Sequence, residues 1–326
     1  MGEVILAGDI GGTKTHLALF DGEKMCADAK FKSSEHENLR SIVKEFLGAN
    51  PNYSVERACF GIAGPIQDRK CKATNLPWII DADLMEKEAN IAHVSLINDL
   101  EANAFGINCL KEDEFFTLNE GKKHEGNAAL ISAGTGLGEA GLYWDGKEYH
   151  PFACEGGHCS FAAENEIEMK LWKYLRKQYD HVSFERILSG PGLTNIYRFL
   201  IDEGLEKEEA HVKKAMEEAD PSYVITEMGM KSMSVACERA LDLFVSIYGS
   251  EAANLALKML SVGGLFIGGG IAPKILNELA EGSFMKRFVQ KGRFTSLLLG
   301  IPVKVVLNEH TALLGAAYYA QKNKRA

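Results

Sequence analysis

The sequence lacks the features of membrane, secreted and repeat proteins. No apolar run approaches the roughly 20 residues that a membrane-spanning helix needs. The first residues enter an apolar segment at once, without the basic stretch and small-residue cleavage site of a signal peptide. No unit of about 20–50 residues repeats, which argues against a solenoid or a propeller. We therefore expect a globular protein of the cytoplasm that has no membrane partner.

Cysteine and positive charge are also scarce. The chain has seven cysteines, and no Cys-x-x-Cys pair occurs. An odd number at wide spacings is typical of reduced thiols rather than of a disulfide framework or a structural zinc site. Lysine and arginine number 36 against 45 acidic residues, which gives a net charge of −9. This balance argues against nucleic acid as a partner.

The length and the apolar pattern predict two α/β domains. The chain has 326 residues, too many for one simple core. An order of three strands, helix, strand and helix is predicted twice, beginning at Val4–Ala7 and again at residues 128–133. The second copy carries a mostly helical insert over residues 165–260. The pattern also predicts a polar loop over residues 119–127 and a helix over residues 272–279.

Glycine, in contrast, is abundant, with 32 residues, and three glycine-rich turns each follow an apolar strand. Such turns let backbone amides approach an anion closely, because no side chain intervenes. We interpret the first two as phosphate-binding turns and the third as a border of an adenosine site. The turns are Gly8-Asp9-Ile10-Gly11-Gly12-Thr13, Gly134-Thr135-Gly136-Leu137-Gly138 and Gly268-Gly269-Gly270.

Other interpretations of these turns remain open. A P-loop needs glycine directly before lysine, but Thr13 precedes Lys14. A dinucleotide fingerprint needs G-x-G-x-x-G before a helix, whereas the second turn has G-x-G-x-G before a strand. Plain hairpin corners explain the first two turns locally, and tight strand–helix packing explains the third. If the first turn holds phosphate, Asp9 stands close enough to organise Mg²⁺ through water, with no direct protein ligand.

Asn98 and Asp99 stand where a buried strand meets a predicted helix. Asn98 as N-cap and Glu101 as its capping-box partner explain the spacing by structure alone. The functional alternative is compatible with this arrangement. A carboxylate at a helix N-terminus is stabilised by the helix dipole, so Asp99 would be ionised and able to accept a proton from a sugar hydroxyl.

A second polar turn, Glu155-Gly156-Gly157-His158, has three possible explanations. It is a surface turn, a pair of hydrogen-bonding groups for a polyol, or part of a zinc site with Cys154 and Cys159. The cysteines lie too close to His158 in sequence for a familiar zinc site. Glu185, before the helical stripe at Ile187, is by itself an ordinary helix-start carboxylate.

Taken together, the ordered motifs resemble the bacterial-type glucokinases, within the actin/hexokinase/Hsp70-like superfamily. The resemblance covers nearly the whole chain and rests on the three glycine turns and three further segments. The further segments are Leu96-Ile97-Asn98-Asp99-Leu100-Glu101-Ala102, Glu155-Gly156-Gly157-His158 and Glu185-Arg186-Ile187-Leu188-Ser189-Gly190. The related branch of repressors and sugar kinases has a cysteine-rich zinc motif after its Gly-His pair. This chain has only Cys159 there, so zinc is not implied.

The resemblance implies a role for each motif. Asp99 would be the catalytic base. Phosphates would be held by Gly8, Asp9, Ile10, Gly11, Gly12 and Thr13 and by Gly134, Thr135 and Gly136, while Gly268, Gly269 and Gly270 would border adenine. The sugar hydroxyls would be bound by Asn98, Glu155, His158 and Glu185.

The resemblance also implies a fold and a reaction. The fold would be the two-domain ribonuclease H-like type with mixed five-stranded sheets, hinged over a cleft. A small domain over residues 1–110 would regain a closing helix over residues 311–321, and residues 111–310 would form the large domain. The reaction would be MgATP-dependent phosphorylation of glucose at its 6-hydroxyl, by a homodimer. A kinase for another hexose, such as glucosamine or mannose, and a non-catalytic sugar-binding regulator are the alternatives.

Overall fold

The computed structural model describes residues 4–74 and 76–323. The chain divides into two compact units. The first comprises the described residues up to Glu112, then Lys147–Ala153, and then those from Asn308 onward. The second comprises Asp113–Gly146 and Cys154–Leu307. None of the helices in the described ranges has both the length and the apolar character needed to cross a bilayer.

The elements up to residue 107 alternate strands with three helices. In chain order they are β1 (Val4–Ile10), β2 (Lys14–Asp21), β3 (Lys24–Lys32), α1 (Leu39–Ala49), β4 (Val55–Ile62), β5 (Ile66–Gln67), β6 (Lys70–Lys72), β7 (Ile79–Asp81), α2 (Ala82–Ala89), β8 (His93–Asn98) and α3 (Asp99–Ile107).

The remaining elements place a block of helices between two groups of strands. They are β9 (Phe115–Asn119), β10 (Ala128–Ala133), β11 (Leu137–Trp144), β12 (Tyr149–Cys154), α4 (Glu166–Arg176), α5 (Gly190–Asp202), α6 (Ala210–Glu218), α7 (Pro221–Met230), α8 (Val235–Met259), β13 (Gly264–Gly268), α9 (Leu276–Glu281), α10 (Phe284–Val289), α11 (Thr295–Leu299), β14 (Val303–Val306) and α12 (Thr311–Lys322).

The first sheet has five strands in the order β3-β2-β1-β4-β8. β1 and β2 are antiparallel, whereas β1 pairs in parallel with β4, and β4 with β8. The inner strands β1, β2 and β4 are buried at consecutive positions because both faces of the sheet are covered there. Leu6 packs into a cluster with α1, while Ile5 and Ala7 point to the other face and pack with Ala316 of α12.

Two glycines allow α12 to lie close against α3. A Cβ built on Gly106 would lie 2.1 Å from the Thr311 carbonyl oxygen, and one built on Gly315 would lie 1.8 Å from the Ala102 carbonyl oxygen. The backbones of the two helices therefore touch, which no larger residue would permit. Because α3 begins at Asp99, this contact fixes the helix that presents Asp99.

The second sheet has six strands, in the order β12-β11-β10-β13-β14-β9, so the prediction of five strands is wrong for this sheet. The additional strand is β9, which pairs antiparallel with β14 and places Phe116 opposite Val305. All five residues of β9 are half-buried. The sequence of this segment alone does not reveal its pairing with β14, because the two strands are far apart in the chain. The short sheet β5-β6-β7 was not predicted either.

The helix predicted over residues 272–279 begins later than expected. Residues 269–275 form turns, and α9 starts only at Leu276. Gly269 has a φ of +83°, which is not helical. The Lys274 amide donates to the Ile271 carbonyl oxygen three residues back, at 3.0 Å, as in a tight turn. The prediction was wrong for residues 272–275 because side-chain spacing alone does not distinguish a series of turns from the first turn of a helix.

Candidate active site

The first glycine turn closes the hairpin between β1 and β2. Gly8, Asp9 and Ile10 lie within β1, and only Gly11–Thr13 form the turn itself. The Gly11 amide donates to the Lys14 carbonyl oxygen at 2.9 Å. Ser33, which lies outside the turn, fixes it with two hydrogen bonds. The Ser33 hydroxyl donates to the Gly11 carbonyl oxygen at 2.9 Å, and the Ser33 amide donates to the Thr13 carbonyl oxygen at 3.1 Å. The turn is therefore held rigidly. Sequence reasoning missed Ser33, since it lies 22 residues from Gly11.

Asp9 and Asp99 lie near each other in the first unit. Burial, followed by the charge of Asp99, raises the pKa of Asp9 to about 6. Gly61 makes this approach possible, because a Cβ there would lie 2.8 Å from the Ala102 Cβ and 3.6 Å from the Asp99 Cα. In the sheet, Gly61 is the parallel partner of Asp9. The first turn of α3 thus rests on the strand next to the glycine hairpin.

Asn98 and Glu101 form the predicted helix cap. The Asn98 Oδ1 accepts a hydrogen bond from the Leu100 amide at 2.9 Å, and the Glu101 carboxylate accepts one from the Asn98 amide. Oδ1 of Asp99 also accepts from the Leu100 amide, at 3.0 Å. The capping box is confirmed, and it holds Asp99 at the positive end of α3.

The second glycine turn is tied to Glu185. The turn closes through a 2.8 Å hydrogen bond from the Gly134 amide to the Gly136 carbonyl oxygen. The Leu137 amide donates to Oε2 of Glu185 at 3.0 Å. A Cβ on Gly136 would lie 2.5 Å from the same oxygen, so glycine leaves the space that this carboxylate occupies. A predicted phosphate turn and a predicted sugar ligand are therefore in direct contact.

The third glycine turn lies beside the second. A Cβ on Gly269 would lie 2.3 Å from the Ala133 carbonyl oxygen, and the Ile271 amide donates to that oxygen at 3.3 Å. Gly268 is inside β13, opposite Ser132. A Cβ on Gly270, by contrast, would have no atom of another described residue within 4 Å beyond its chain neighbours. Two turns that are far apart in sequence thus meet at one end of the second sheet.

The turn with Glu155 and His158 is attached to the segment that carries Glu185. Gly156–His158 form a 3-10 turn, and Nε2 of His158 lies 4.0 Å from Oε2 of Glu155. His181 bonds the His158 carbonyl oxygen through its ring Nε2 at 2.8 Å. The Phe184 amide donates to the Cys159 carbonyl oxygen at 3.0 Å. These contacts with backbone oxygens therefore join the two segments of the second unit that carry the predicted sugar ligands Glu155, His158 and Glu185.

Sequence reasoning missed two side chains that support this turn, His181 and Glu139. Neither belongs to a glycine motif, and each reaches the turn through tertiary packing. Among the described residues, no group of three or more His, Cys, Asp or Glu side chains could hold a metal ion. All seven cysteines are free thiols.

The two units offer different chemistry. The first presents a rigid glycine hairpin with a pair of carboxyl groups, one of them at a helix N-terminus. Such a carboxylate can accept a proton, and neighbouring backbone amides can bind an anion. The second presents two adjoining glycine turns and three exposed or half-buried polar side chains. These side chains can bind hydroxyl groups of a carbohydrate through charge-assisted hydrogen bonds.

Known proteins with similar sequences and folds are described as glucokinases. The family model described as Glucokinase matches residues 6–323. The glucokinase of Nostoc sp. is 41% identical over 339 residues, which cover 98% of this chain and 99% of that protein. A glucokinase structure from an Antarctic psychrotroph superposes with a TM-score of 0.86 at 29% identity and covers 99% of this chain and 100% of that one.

A more distant structure shares the fold. The ROK family glucokinase from Streptomyces griseus, in complex with glucose and AMPPNP, has a TM-score of 0.67 at 19% identity. The match covers 98% of this chain and 100% of that one. At this identity the likeness concerns the fold alone.

Proposed function

The chain belongs to the glucokinase family, and we propose that it transfers the γ-phosphoryl group of MgATP to the 6-hydroxyl of glucose. The products are glucose 6-phosphate and ADP. The observation that carries this proposal is the placement of Asp99. It stands at the start of α3, with its carboxylate held by the helix cap and close to the glycine hairpin of β1 and β2.

Asp99 is the general base in this proposal. Its carboxylate accepts the proton of the sugar 6-hydroxyl as that oxygen forms a bond to the γ-phosphorus. The bond from the γ-phosphorus to the bridging oxygen breaks, and its electron pair leaves with ADP. Because phosphoryl transfer needs little covalent participation by protein groups, most of the acceleration comes from positioning and charge stabilisation.

The glycine turns bind the nucleotide. In the first unit, Gly11–Thr13 offer a fixed hairpin, and the Thr13 hydroxyl adds a hydrogen-bond donor. In the second unit, the turn over 134–136 binds phosphate oxygens, and the adjoining glycines 268–270 leave space for adenine. The open surroundings of Gly270 support this assignment. The packing of Gly8 against Phe60 and Leu17 supports a structural contribution for that glycine, which keeps β1 close to its neighbours.

Asp9 fits the requirements of a magnesium site. Mg²⁺ prefers oxygen ligands and keeps much of its hydration shell, so it is usually bound by one or two carboxylates, phosphates and water. Burial and the charge of Asp99 raise the pKa of Asp9. A cation bound near these two neighbouring carboxyl groups would stabilise their ionised forms. Asp9 would hold the ion through water, and the ion would neutralise charge on the phosphates.

Glu155, His158 and Glu185 bind the sugar, together with Asn98. Two carboxylates and an imidazole can each bond a hydroxyl group, and their positions decide which hexose is preferred. The Glu185 carboxylate also accepts a hydrogen bond from the Leu137 amide, so this one side chain positions both the second phosphate turn and the sugar.

A coupled ADP-release assay tests the proposed function. The purified protein is assayed with a panel of hexoses, with and without Mg²⁺. We expect the highest kcat/KM with glucose and loss of turnover without Mg²⁺. Higher kcat/KM with glucosamine or mannose would assign another hexose as substrate. Sugar binding without ADP release would favour a non-catalytic regulator.

We further propose a homodimer in the cytoplasm, without nucleic acid. The free state of all seven cysteines supports a reducing compartment, and the net charge of −9 disfavours nucleic acid. The dimer is implied by the resemblance to the family alone. Light scattering after size-exclusion chromatography tests it, and a monomer mass at assay concentrations would contradict it.

A further inference from the structure

A buried pair of carboxyl groups supports the turn that carries Glu155 and His158. Glu139 of β11 and Glu251 of α8 are 1% and 0% exposed, and their carboxyl groups are hydrogen-bonded to each other. A Cβ built on Gly156 would lie 1.8 Å from Oε2 of Glu139. The Glu139 carboxyl group therefore touches the backbone of the turn.

The partners of Glu251 show which carboxyl group carries the charge. Lys258 Nζ lies 3.3 Å from its Oε1, and Asn254 Nδ2 donates to its Oε2 at 2.8 Å. Both oxygens of Glu251 thus face donors, as a carboxylate requires. One ammonium balances one carboxylate, and a second buried charge without a partner costs several kcal/mol. Glu139 therefore keeps its proton and donates it in a hydrogen bond to Glu251.

Two observations support a neutral Glu139. Its Oε1 is buried and has no hydrogen-bond partner among the described residues, so a negative charge on this oxygen would be left uncompensated. Burial, followed by the charge of Glu251, raises the pKa of Glu139 to about 8. Burial also raises the pKa of Glu251, but its hydrogen bonds and Lys258 oppose that rise.

We propose that Glu139 is a positioning residue whose neutral carboxyl, bonded to Glu251, supports the Gly156–His158 turn, and whose ionisation displaces the turn and weakens glucose binding. This inference rests on the proposed sugar-binding role of Glu155 and His158. An ionised Glu139 would repel Glu251, and because its carboxylate lies against the backbone at Gly156, this repulsion acts on the turn. At a pH where Glu139 is ionised in the glucose-free protein, glucose binding is therefore accompanied by uptake of a proton.

Other ionisable groups also face this pair. Burial raises the pKa of Cys154, whose thiol donates to the Glu139 carbonyl oxygen at 3.4 Å, and burial raises that of the Tyr248 phenol. The pKa of Lys258 is raised because the charges of Glu251 and Glu139 outweigh its burial. Cys159 is exposed and acts on Lys258 electrostatically.

Calorimetric titration with glucose tests the proposal without relying on turnover. Binding is measured from pH 7 to pH 9 in buffers of different ionisation enthalpy, which reveals proton uptake. We expect the wild-type protein to bind glucose about fivefold more weakly at pH 9 than at pH 7, which by linkage corresponds to uptake of about 0.35 of a proton on average over this range. In Glu139→Gln, whose side chain is neutral at every pH, both effects should disappear.

Two variants serve as controls. Cys159→Ser should retain the wild-type pH dependence, and so should Glu168→Gln, which alters another buried glutamate whose partner is Arg287. A Glu139→Gln protein with wild-type proton uptake would overturn the proposal, and so would wild-type protein with no proton uptake. Failure of the wild-type protein to bind glucose at any pH would instead contradict the proposed function.

Glu251→Gln provides a second test if Glu139→Gln does not fold. Without the negative charge of Glu251, the remaining charge of Lys258 favours ionised Glu139. The midpoint of the pH dependence should therefore move to lower pH. An unchanged midpoint in a folded Glu251→Gln protein would contradict the assignment of the transition to Glu139.

Discussion

The two sheets repeat one strand order but differ in where they carry charge. β3-β2-β1-β4-β8 in the first sheet corresponds to β12-β11-β10-β13-β14 in the second. Asp9 stands two residues before the first glycine turn and is paired with Gly61. Ser132 stands two residues before the second turn and is paired with Gly268. A half-buried acid in one copy is thus a half-buried neutral hydroxyl in the other.

This difference separates what the repeated topology provides from what single residues add. The topology provides a glycine hairpin at the end of a central strand, with a glycine on the parallel neighbour. Only the first copy adds two carboxyl groups, Asp9 and Asp99, which suit a cation and a proton transfer. The second copy adds Glu155, His158 and Glu185, which suit hydroxyl groups. Substitutions made in one copy at a time test this difference.

Asp99→Asn is expected to have the largest effect, because it removes the general base. We expect kcat to fall by at least about 10²-fold, while glucose binding changes little, since asparagine can still accept the Leu100 hydrogen bond. Steady-state kinetics and calorimetry measure the two quantities. Asp81→Asn, which alters the N-cap of α2, is the matched control and should keep full turnover. Near-normal kcat in Asp99→Asn would remove its assigned role.

Glu155→Gln and His158→Ala test the sugar side of the second unit. A lost hydrogen bond to a charged group is worth about 1.5–3 kcal/mol, so the KM for glucose should rise by about 10–100-fold. The KM for ATP should change little. Glu166→Gln, at the start of α4 in the same unit, is the control. An effect confined to the KM for ATP would contradict the sugar assignment.

Asp9→Asn tests the acid that the second copy lacks. If Asp9 orients water on Mg²⁺, the Mg²⁺ concentration for half-maximal rate should rise by about 10–100-fold. The matched change in the other copy, Ser132→Ala, should leave Mg²⁺ dependence unaltered. Rates at graded Mg²⁺ and fixed ATP measure both. Equal shifts in the two variants would mean that the copies do not differ in the way proposed.

Gly136→Ala should move the Glu185 carboxylate rather than unfold the protein, because the new methyl group meets the end of a flexible side chain. Loss of one well-placed hydrogen bond predicts a roughly tenfold higher KM for glucose at nearly constant Tm. Gly134→Ala is the matched control, since its new Cβ would meet no other described residue within 4 Å beyond its chain neighbours. If both variants had normal KM for glucose, Glu185 would not contribute to the sugar site.

His181→Ala is expected to have the smallest effect. It removes the ring that bonds the His158 carbonyl oxygen, a net contribution of about 0.5–1.5 kcal/mol. The KM for glucose should rise by about 2–10-fold, with kcat unchanged. His211→Ala is the control, because His211 also bonds a backbone carbonyl oxygen, that of Met233. A wild-type KM in His181→Ala would show that the turn keeps its position without this contact.

Sequence patterns identified the family, the first sheet and the cap of α3 correctly. The resemblance to glucokinases is confirmed by the family match over residues 6–323. Asn98 and Glu101 were predictable because a capping box is local, with its partners three residues apart. The strand β9 was missed because its pairing with β14 joins residues that are far apart in the chain.

By itself, the order of residues determined the strands of the first sheet, the places where glycine turns the chain and the polar side chains that stand near those turns. These features depend on neighbours in sequence. Only the tertiary structure decided that Glu185 reaches the turn at Gly136 and that Glu139 lies against Gly156. It also decided that Glu139 is deprived of water and shares one cation with Glu251. A side chain's protonation and contacts depend on which distant segments exclude water from it, and local sequence does not encode that packing.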